Sequence, residues 1–400
     1  MGKYSKVFKE KSFYKAFLTS LLITGLGYGI YKGLIDNYMA EIVKMGEFDR
    51  GVLEFFREIP GLMLIFILAL FYSFSVEKMY KMGSLIILAG MGMLSIVPSH
   101  MVWVTLAVCI YSLGEHIQLG MKNVITLEYA KENQGGVALG YQNALYQIGT
   151  LAGYGVIIVA FSILAKTKPY KTFFLIAMAI FAISTIFAFS IKSNTGTKKS
   201  KNRFYFRKKY TKYYMLEVFY GARKQVFFTF GPYVLILFYG ASASVISLLF
   251  AISAITCYFC APMVGRIIDK IGYKVVMVAD TLILLVVCFF YGFAHHLFPK
   301  DIAFIVCCVN YILDSIISLA SMASNVYVQD ISDSSEEVSA TISTGISVNH
   351  MITILIALFG GLIWQKLGIE TLFVLSGILG LCNSAYAATI KTGKKHLTTG

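Results

Sequence analysis

Charged residues are scarce in this chain of 400 residues. Only 14% of the residues are Asp, Glu, Lys or Arg, whereas 57% are hydrophobic, and the mean hydropathy is +0.71. Soluble domains carry roughly 25% charged residues. The composition therefore excludes an ordinary soluble protein and predicts an integral membrane protein that crosses the bilayer many times.

Paired cysteines and catalytic motifs are also missing. All seven cysteines fall inside predicted membrane spans, so we expect neither a disulfide framework nor a cysteine metal site. The sequence has no phosphate-binding P-loop, no His-Glu-x-x-His helix and no Gly-x-Ser-x-Gly turn. ATP-driven pumping and hydrolysis are thus not predicted, an enzyme is the least favoured class, and no cofactor or metal is expected.

Long apolar runs fill the chain instead. A helix needs about 20 apolar residues to cross the hydrocarbon, and about twelve such runs fit here. The predicted fold class is therefore an all-α membrane protein with two six-helix transmembrane bundles, at residues 1–192 and 214–400, joined by a linker at 193–213. The predicted spans are 17–43, 51–74, 83–97, 101–121, 137–164 and 173–191, then 215–239, 242–263, 275–295, 302–327, 338–364 and 371–389.

Positive charge predicts the orientation. The net charge is +14, and the basic residues cluster between spans and in the linker, which is typical of cytoplasmic loops rather than of a nucleic-acid interface. We therefore expect both termini to be cytoplasmic, in a cell (inner) membrane, with no nucleic-acid partner. One loop is acidic instead, and one interpretation is that it pairs with the basic linker. Its acidic residues are Asp330, Asp333, Glu336 and Glu337.

A ten-residue stretch between two spans carries the most specific signal. Residues 265–274 read Gly-Arg-Ile-Ile-Asp-Lys-Ile-Gly-Tyr-Lys, which resembles the signature loop of the major facilitator superfamily, Gly-x-x-x-Asp-Arg/Lys-x-Gly-x-Lys/Arg. The resemblance implies a cytoplasmic loop between the second and third helices of a six-helix bundle. It assigns a gating role to Gly265, Asp269, Lys270 and Gly272. An ordinary tight loop between two membrane helices is the alternative.

The two halves of the chain contain similar short sequences at corresponding positions. Ser75-Val76-Glu77-Lys78 stands between spans 2 and 3 where the signature loop stands between spans 8 and 9, although this first copy lacks the glycines. Two parallel repeats related by a pseudo-two-fold axis are the architecture that the resemblance implies.

Span 7 contains two adjacent cations near its middle, Arg223 and Lys224. A charge in hydrocarbon is costly, so both are candidates for a functional site. Successive helix positions differ by about 100°, so one is expected to bind substrate while the other pairs with an acid such as Asp314 or Glu115. Arg223 is favoured for substrate, because its guanidinium matches carboxylate or phosphate. Alternatively, both cations are held in structural ion pairs.

Spans 4 and 10 carry titratable groups at related positions. Glu115 and His116 lie in span 4 and Asp314 in span 10, and the resemblance implies that spans 1, 4, 7 and 10 line a central cavity. Such groups can exchange a proton near neutral pH in a low-dielectric site, so these three are the predicted proton-coupling residues. The alternative is that they are hydrogen-bonded structural groups.

Span 1 and the start of span 2 carry further candidates. Gly25, Gly29 and Gly33 form a smooth stripe for close helix contact. Two charged pairs, Lys32 with Asp36 and Arg57 with Glu58, are predicted to act as an extracellular gate; Arg57 and Glu58 could equally belong to a cluster that reaches the interface. The complete set of predicted substrate-binding residues is Arg223, Lys224, Tyr28, Tyr31, Gln118, Asn143, Tyr327 and Asn349.

Together these features predict a secondary transporter that moves a small anionic or zwitterionic organic solute by alternating access, coupled to a proton or a sodium ion. Its expected partners are that solute, the coupling ion and membrane lipids, and a monomer is expected to suffice. Two alternatives remain at this point, namely a multidrug or amphiphile efflux antiporter and a transceptor or scaffold that does not transport.

Overall fold

A computed structural model describes residues 6–71, 74–132, 134–164, 167–191 and 206–391. The described residues are helical apart from short connections and an isolated antiparallel bridge between Phe8 and Ala130. The helices are α1 (Lys11–Tyr38), α2 (Glu47–Leu70), α3 (Val76–Ile96), α4 (Met101–Tyr129), α5 (Gly135–Ile163), α6 (Tyr170–Phe189), α7 (Thr211–Tyr239), α8 (Ala243–Ile271), α9 (Tyr273–Leu297), α10 (Lys300–Ile317), α11 (Met322–Ile331) and α12 (Ser335–Ala388).

Nine helices in the described residues are long and apolar enough to cross a membrane. Helices α2 and α7 are also long but carry more polar side chains. Helix α12 has 54 residues, about 80 Å at 1.5 Å per residue, and it bends at Gly368, where φ is +89°. Because the hydrocarbon is only about 30 Å thick, α12 accounts for the last two predicted spans. The predicted all-α membrane fold is confirmed.

The tenth predicted span is interrupted. Helix α10 ends at Ile317, a 3₁₀ turn covers Ser318–Ser321, and α11 starts at Met322. The Ser321 hydroxyl donates to the Ser318 carbonyl at 2.7 Å. Serine side chains offer the backbone such local alternatives to regular helix hydrogen bonds, and the predicted span at 302–327 lies within the candidate membrane span Lys300–Ile331.

The contacts divide the chain into two units. The first comprises Met1–Lys44, Phe56–Ser200 and Ser242–Ala251, and the second comprises Met45–Phe55, Lys201–Ala241 and Ile252–Gly400. Two short segments are exchanged relative to the predicted bundles. Residues 45–55, from the first predicted bundle, fall in the second unit, and residues 242–251, from the second predicted bundle, fall in the first unit. Each unit is described below by itself.

In the first unit, α1 packs against α5 and α6, and α3 packs against α4. A Cβ atom added at Gly25 or Gly29 would overlap the backbone carbonyl of Tyr146 or Thr150 on α5. The predicted glycine stripe is therefore confirmed for the α1–α5 contact, since only glycine permits this approach.

In the second unit, α12 packs against α7 and α9, and α9 packs against α10. Tyrosines dominate the core at the end where the linker enters, and Tyr210, Tyr213 and Tyr273 are fully buried there. At the other end, Gly51 of α2 lies against the backbone carbonyl of Ala357 on α12.

The signature loop is a sharp turn from α8 into α9. Gly272 has a φ of +86°, a conformation that side chains with a Cβ rarely adopt, which explains glycine at this position. Gly265 lies inside α8, and a Cβ added there would meet no atom within 4 Å. No neighbouring helix in the described residues packs closely against Gly265 in this structure. Asp269 and Lys270 are exposed.

The acidic loop does pair with the linker end in the described residues. Lys209 Nζ lies 2.7 Å from Asp333 Oδ2 and 3.7 Å from Glu337, and Arg207 lies 3.6 Å from Glu337. The hydrogen bond to Asp333 raises the pKa of Lys209 above its ordinary 10.5. The pair therefore contributes its small stabilisation fully below pH 10.5 and loses it only as the pH rises through the raised value.

Candidate functional site

Helix α7 presents a cation and a carboxylate on one face. Lys224 follows Glu217 by seven residues, which is close to two full turns. The Ser324 hydroxyl of α11 donates to Glu217 Oε1 at 2.9 Å, and the Asn349 amide of α12 donates to the Glu217 carbonyl at 3.2 Å. Three helices thus hold Glu217 in position, and the predicted substrate residue Asn349 is one of the contacts.

Lys224 is exposed at the middle of α7, and its charge interacts with Glu217 and with Asp314 of α10. Asp314 is itself partly exposed, and its carboxylate also interacts electrostatically with the Arg223 guanidinium. The second unit therefore contains a polar site with one accessible cation and two carboxylates. We call Lys224, Glu217 and Asp314 the α7–α10 site.

Arg223 has different surroundings from its neighbour Lys224. Its Nη1 lies 2.8 Å from Asp280 Oδ2 of α9, at an angle that departs from a linear hydrogen bond. Arg223 and Asp280 are only 3% and 6% exposed. The guanidinium also lies over the Tyr220 ring at 4.7 Å and donates to the Ile317 carbonyl at 3.5 Å, where α10 is interrupted. Arg223, which the sequence analysis favoured for substrate, is thus paired with an acid in this structure, and that acid is Asp280.

The first unit contains a second polar face, on α4. Tyr111, Glu115 and Lys122 follow one another at intervals of four and seven residues, so they share a face. The ammonium of Lys122 lies 4.7 Å from the centre of the Tyr146 ring of α5. Arg57 is the strongest charged neighbour of Glu115, followed by further charges on α2, α4 and α1. This face therefore also combines a carboxylate with cations.

The two tyrosines predicted on span 1 join this face. The Tyr31 and Tyr111 rings lie 4.3 Å apart, and the Tyr28 and Tyr146 rings lie 5.9 Å apart. We call Glu115, Lys122 and these four tyrosines the α4 site. The sequence prediction included Tyr28, Tyr31 and Glu115 but not Lys122, whose signal was its position seven residues after Glu115.

His116 and Gln118 are bonded inside the first unit. His116 Nδ1 lies 2.8 Å from the Ser112 carbonyl and 3.1 Å from its hydroxyl. The Gln118 amide donates to the Ser84 hydroxyl of α3 at 2.6 Å. Both residues are buried, so these contacts agree with the structural alternative for His116 and link α4 to α3 through Gln118.

Asn143 lies about one helical turn before Tyr146 of the α4 site, and Tyr327 lies on α11. Asn143 is exposed on α5 and accepts a hydrogen bond from Gln142 at 3.2 Å. Tyr327 is buried in the tyrosine-rich core of the second unit, and the centre of its ring lies 5.6 Å from that of Tyr273. The Tyr273 hydroxyl donates a hydrogen bond to Asp330 Oδ2 at 2.9 Å.

Both charged pairs predicted for a gate form in the first unit. Lys32 Nζ lies 2.9 Å from Asp36, which is buried, and Lys32 also lies over the Phe250 ring at 5.0 Å. Arg57 contacts Glu58 directly. These contacts establish the pairs, and the gating role stays a prediction.

A buried ion pair in the second unit was missed. Arg50 and Glu54 of α2 lie 2.7 Å apart, and Glu54 accepts a further hydrogen bond from Gln225 of α7 at 3.1 Å. Their spacing of four residues was the available sequence signal. The role of Gln225 depends on the packing of α2 against α7 and has no local signal.

Residues 214–397 match the family model described as Major Facilitator Superfamily. No curated protein matches the chain. Among solved structures, the nucleoside transporter NupG is 15% identical with a TM-score of 0.74, covering 95% of this chain and 100% of that one.

A bacterial homologue of the human lysosomal transporter Spinster, in an inward-facing and unoccupied conformation, is 13% identical with a TM-score of 0.68, covering 95% and 97% of the two chains. A POT family transporter in complex with 5-aminolevulinic acid is 11% identical with a TM-score of 0.68, covering 93% and 94%. The family model thus matches the second half of the chain, and these solved transporters show a similar fold over nearly the whole chain.

Proposed function

We propose that this membrane protein is a secondary-active transporter that moves a small zwitterionic or anionic organic solute by alternating access, coupled to a proton. The match of residues 214–397 to the Major Facilitator Superfamily model and the likeness of the fold to solved transporters support transport as the activity. The observation that carries the substrate class is the exposed cation Lys224 beside the carboxylates Glu217 and Asp314.

Lys224 is the side chain that we assign to the anionic group of the solute. A charged group inside a membrane span is costly unless it faces water, a partner or a ligand. Arg223 is engaged by Asp280 and is buried, whereas Lys224 is exposed. The substrate-binding role that the sequence favoured for Arg223 therefore passes, in this proposal, to Lys224.

The carboxylates of the α7–α10 site favour a solute that also carries a positive group. A purely anionic solute would be attracted by Lys224 and repelled by Glu217 and Asp314, while a zwitterion satisfies both signs of charge. The α4 site of the first unit has the same mixture in Glu115 and Lys122. We therefore place zwitterions, such as small amino acids, before simple organic acids.

The test is a thermal-shift screen of the detergent-purified protein with amino acids, organic acids, nucleosides and lipophilic cations. Lys224→Ala is compared with the wild type and with Lys212→Ala, which removes a cation from the linker end of the same helix. We expect zwitterions to stabilise the wild type and Lys212→Ala but not Lys224→Ala.

Other outcomes separate the alternatives. An undiminished zwitterion shift in Lys224→Ala would refute the assigned role. Nucleosides are in the panel because a structural neighbour is a nucleoside transporter and because the α4 site is rich in tyrosine rings. Stabilisation by lipophilic cations alone would favour the efflux alternative. Binding without exchange of labelled solute across proteoliposomes would favour the transceptor.

A further inference from the structure

Two adjacent histidines meet a glutamate at the end of the second unit remote from the linker. His295 and His296 occupy the last turn of α9, and Glu370 follows the bend of α12 at Gly368. The Nε2 atoms of His295 and His296 lie 3.1 Å and 2.7 Å from the same carboxylate oxygen, Glu370 Oε1. This cluster touches neither the α7–α10 site nor the α4 site as defined above.

We propose that His295, His296 and Glu370 form a binding site for a divalent transition-metal ion, with Zn²⁺ as the best-fitting ion. The proposal is independent of the transported solute. Two imidazoles and one carboxylate are a ligand set that suits Zn²⁺ with a fourth position left for water. Hard ions such as Ca²⁺ and Mg²⁺ prefer all-oxygen sites, so this set discriminates against them.

The distances suit an ion of this kind. One ligand atom from each of the three side chains lies within 4.8 Å of the others. Bonds of about 2.0–2.2 Å in a tetrahedron place ligand atoms about 3.3 Å apart. The two nitrogen–oxygen distances, 3.1 Å and 2.7 Å, are shorter than this by about 0.2 Å and 0.6 Å, so each nitrogen needs to move less than 1 Å from the carboxylate oxygen.

The backbone brings the ligands together and leaves them accessible. Gly368 turns the chain with its φ of +89°, and its space is bounded by the Glu370 carboxylate itself. The His296 side chain is 59% exposed, and those of His295 and Glu370 are about one quarter exposed, so an ion can enter from solvent. The ion would link α9 to the second half of α12.

Nearby charge modulates the affinity. Lys300, at the start of α10, lines the same surface cavity as His295. Its ammonium opposes a bound cation, so Lys300→Ala is expected to bind Zn²⁺ at least as tightly as the wild type.

The experiment titrates tag-free, chelator-treated full-length protein with Zn²⁺ by isothermal titration calorimetry. Co²⁺ serves as a second probe, because its visible absorption reports nitrogen and oxygen coordination. We expect one Zn²⁺ per chain, with affinity reduced on the order of 100-fold or more in Glu370→Gln and in His296→Ala, since loss of even an outer contact to a ligand costs 10–100-fold. His100→Ala, at the start of α4 in the first unit, is the matched control.

The melting temperature without metal shows whether each variant folds. A wild type that binds no Zn²⁺ would overturn the proposal, as would binding that His296→Ala and Glu370→Gln leave unchanged. Equal affinity for Mg²⁺ would overturn the assignment to a transition metal. Because solute binding is measured separately with Lys224→Ala, failure here is distinguishable from failure of the proposed transport function.

Discussion

At the scale of single residues, the neighbours Arg223 and Lys224 differ in burial and pairing, because α9 places the carboxylate of Asp280 beside Arg223. Asp280 pairs with Arg223, while Lys224 is exposed and belongs to the α7–α10 site. Both cations were visible in the sequence as charges in a span. Which of them is paired depends on the rotation of α7 and on a residue 57 positions away, so residue spacing alone did not decide it.

The Arg223–Asp280 pair yields a stability prediction. Asp280→Asn leaves the guanidinium buried without its counter-charge, and breaking a buried pair in this way typically costs about 3–5 kcal/mol. We expect a large fall in the melting temperature in detergent. Arg223→Met combined with Asp280→Leu removes both charges and is expected to fall much less.

Lys224→Ala is the control for this pair, because Lys224 is exposed and its removal is expected to change the melting temperature little. A double variant whose loss equals the sum of the losses of Arg223→Met and Asp280→Leu, each made singly, would show that the charges do not stabilise one another.

At the scale of elements, Gly265 and Gly272 of the signature loop have different structural requirements, although the sequence analysis gave both the same gating role. Gly272→Ala places a Cβ at a φ of +86° and a ψ of 148°, a region that glycine alone adopts readily, which costs about 1–3 kcal/mol. Gly265→Ala lies in a helix with open space around it, and alanine is the better helix former there by up to about 1 kcal/mol. We expect a lower melting temperature for the first variant and an unchanged or higher one for the second.

Transport by the same two variants tests the predicted gating role. If Gly265→Ala is stable but transports poorly, a close approach at Gly265 occurs in another conformation of the cycle, as gating requires. Full transport by Gly265→Ala would count against a gating role for this glycine.

Elements also differ in how readily the sequence revealed them. The glycine stripe of α1 was found because its spacing of four is a local property of a helix. The interruption between α10 and α11 and the exchanged segments 45–55 and 242–251 were not found. They depend on how helices cross, which an apolar run does not encode.

At the scale of the whole molecule, proton coupling is the property to test. We expect Glu115→Gln and Asp314→Asn to abolish solute accumulation driven by a pH gradient in proteoliposomes while exchange of labelled solute persists, because exchange needs no net proton transfer. Glu41→Gln is a control outside the two sites, since Glu41 pairs with Lys168 in a connection of the first unit. Accumulation that follows a sodium gradient and ignores pH would contradict the proton assignment.

The sequence by itself determined that this is an all-α membrane protein, because helix length and hydropathy are properties of short stretches of chain. It also indicated the superfamily through one ten-residue loop. Only the tertiary structure decided that Asp280 pairs with Arg223, that Lys224 stays accessible and that His295, His296 and Glu370 meet. These depend on contacts between helices far apart in the chain, and a buried charge takes whichever partner packing places beside it.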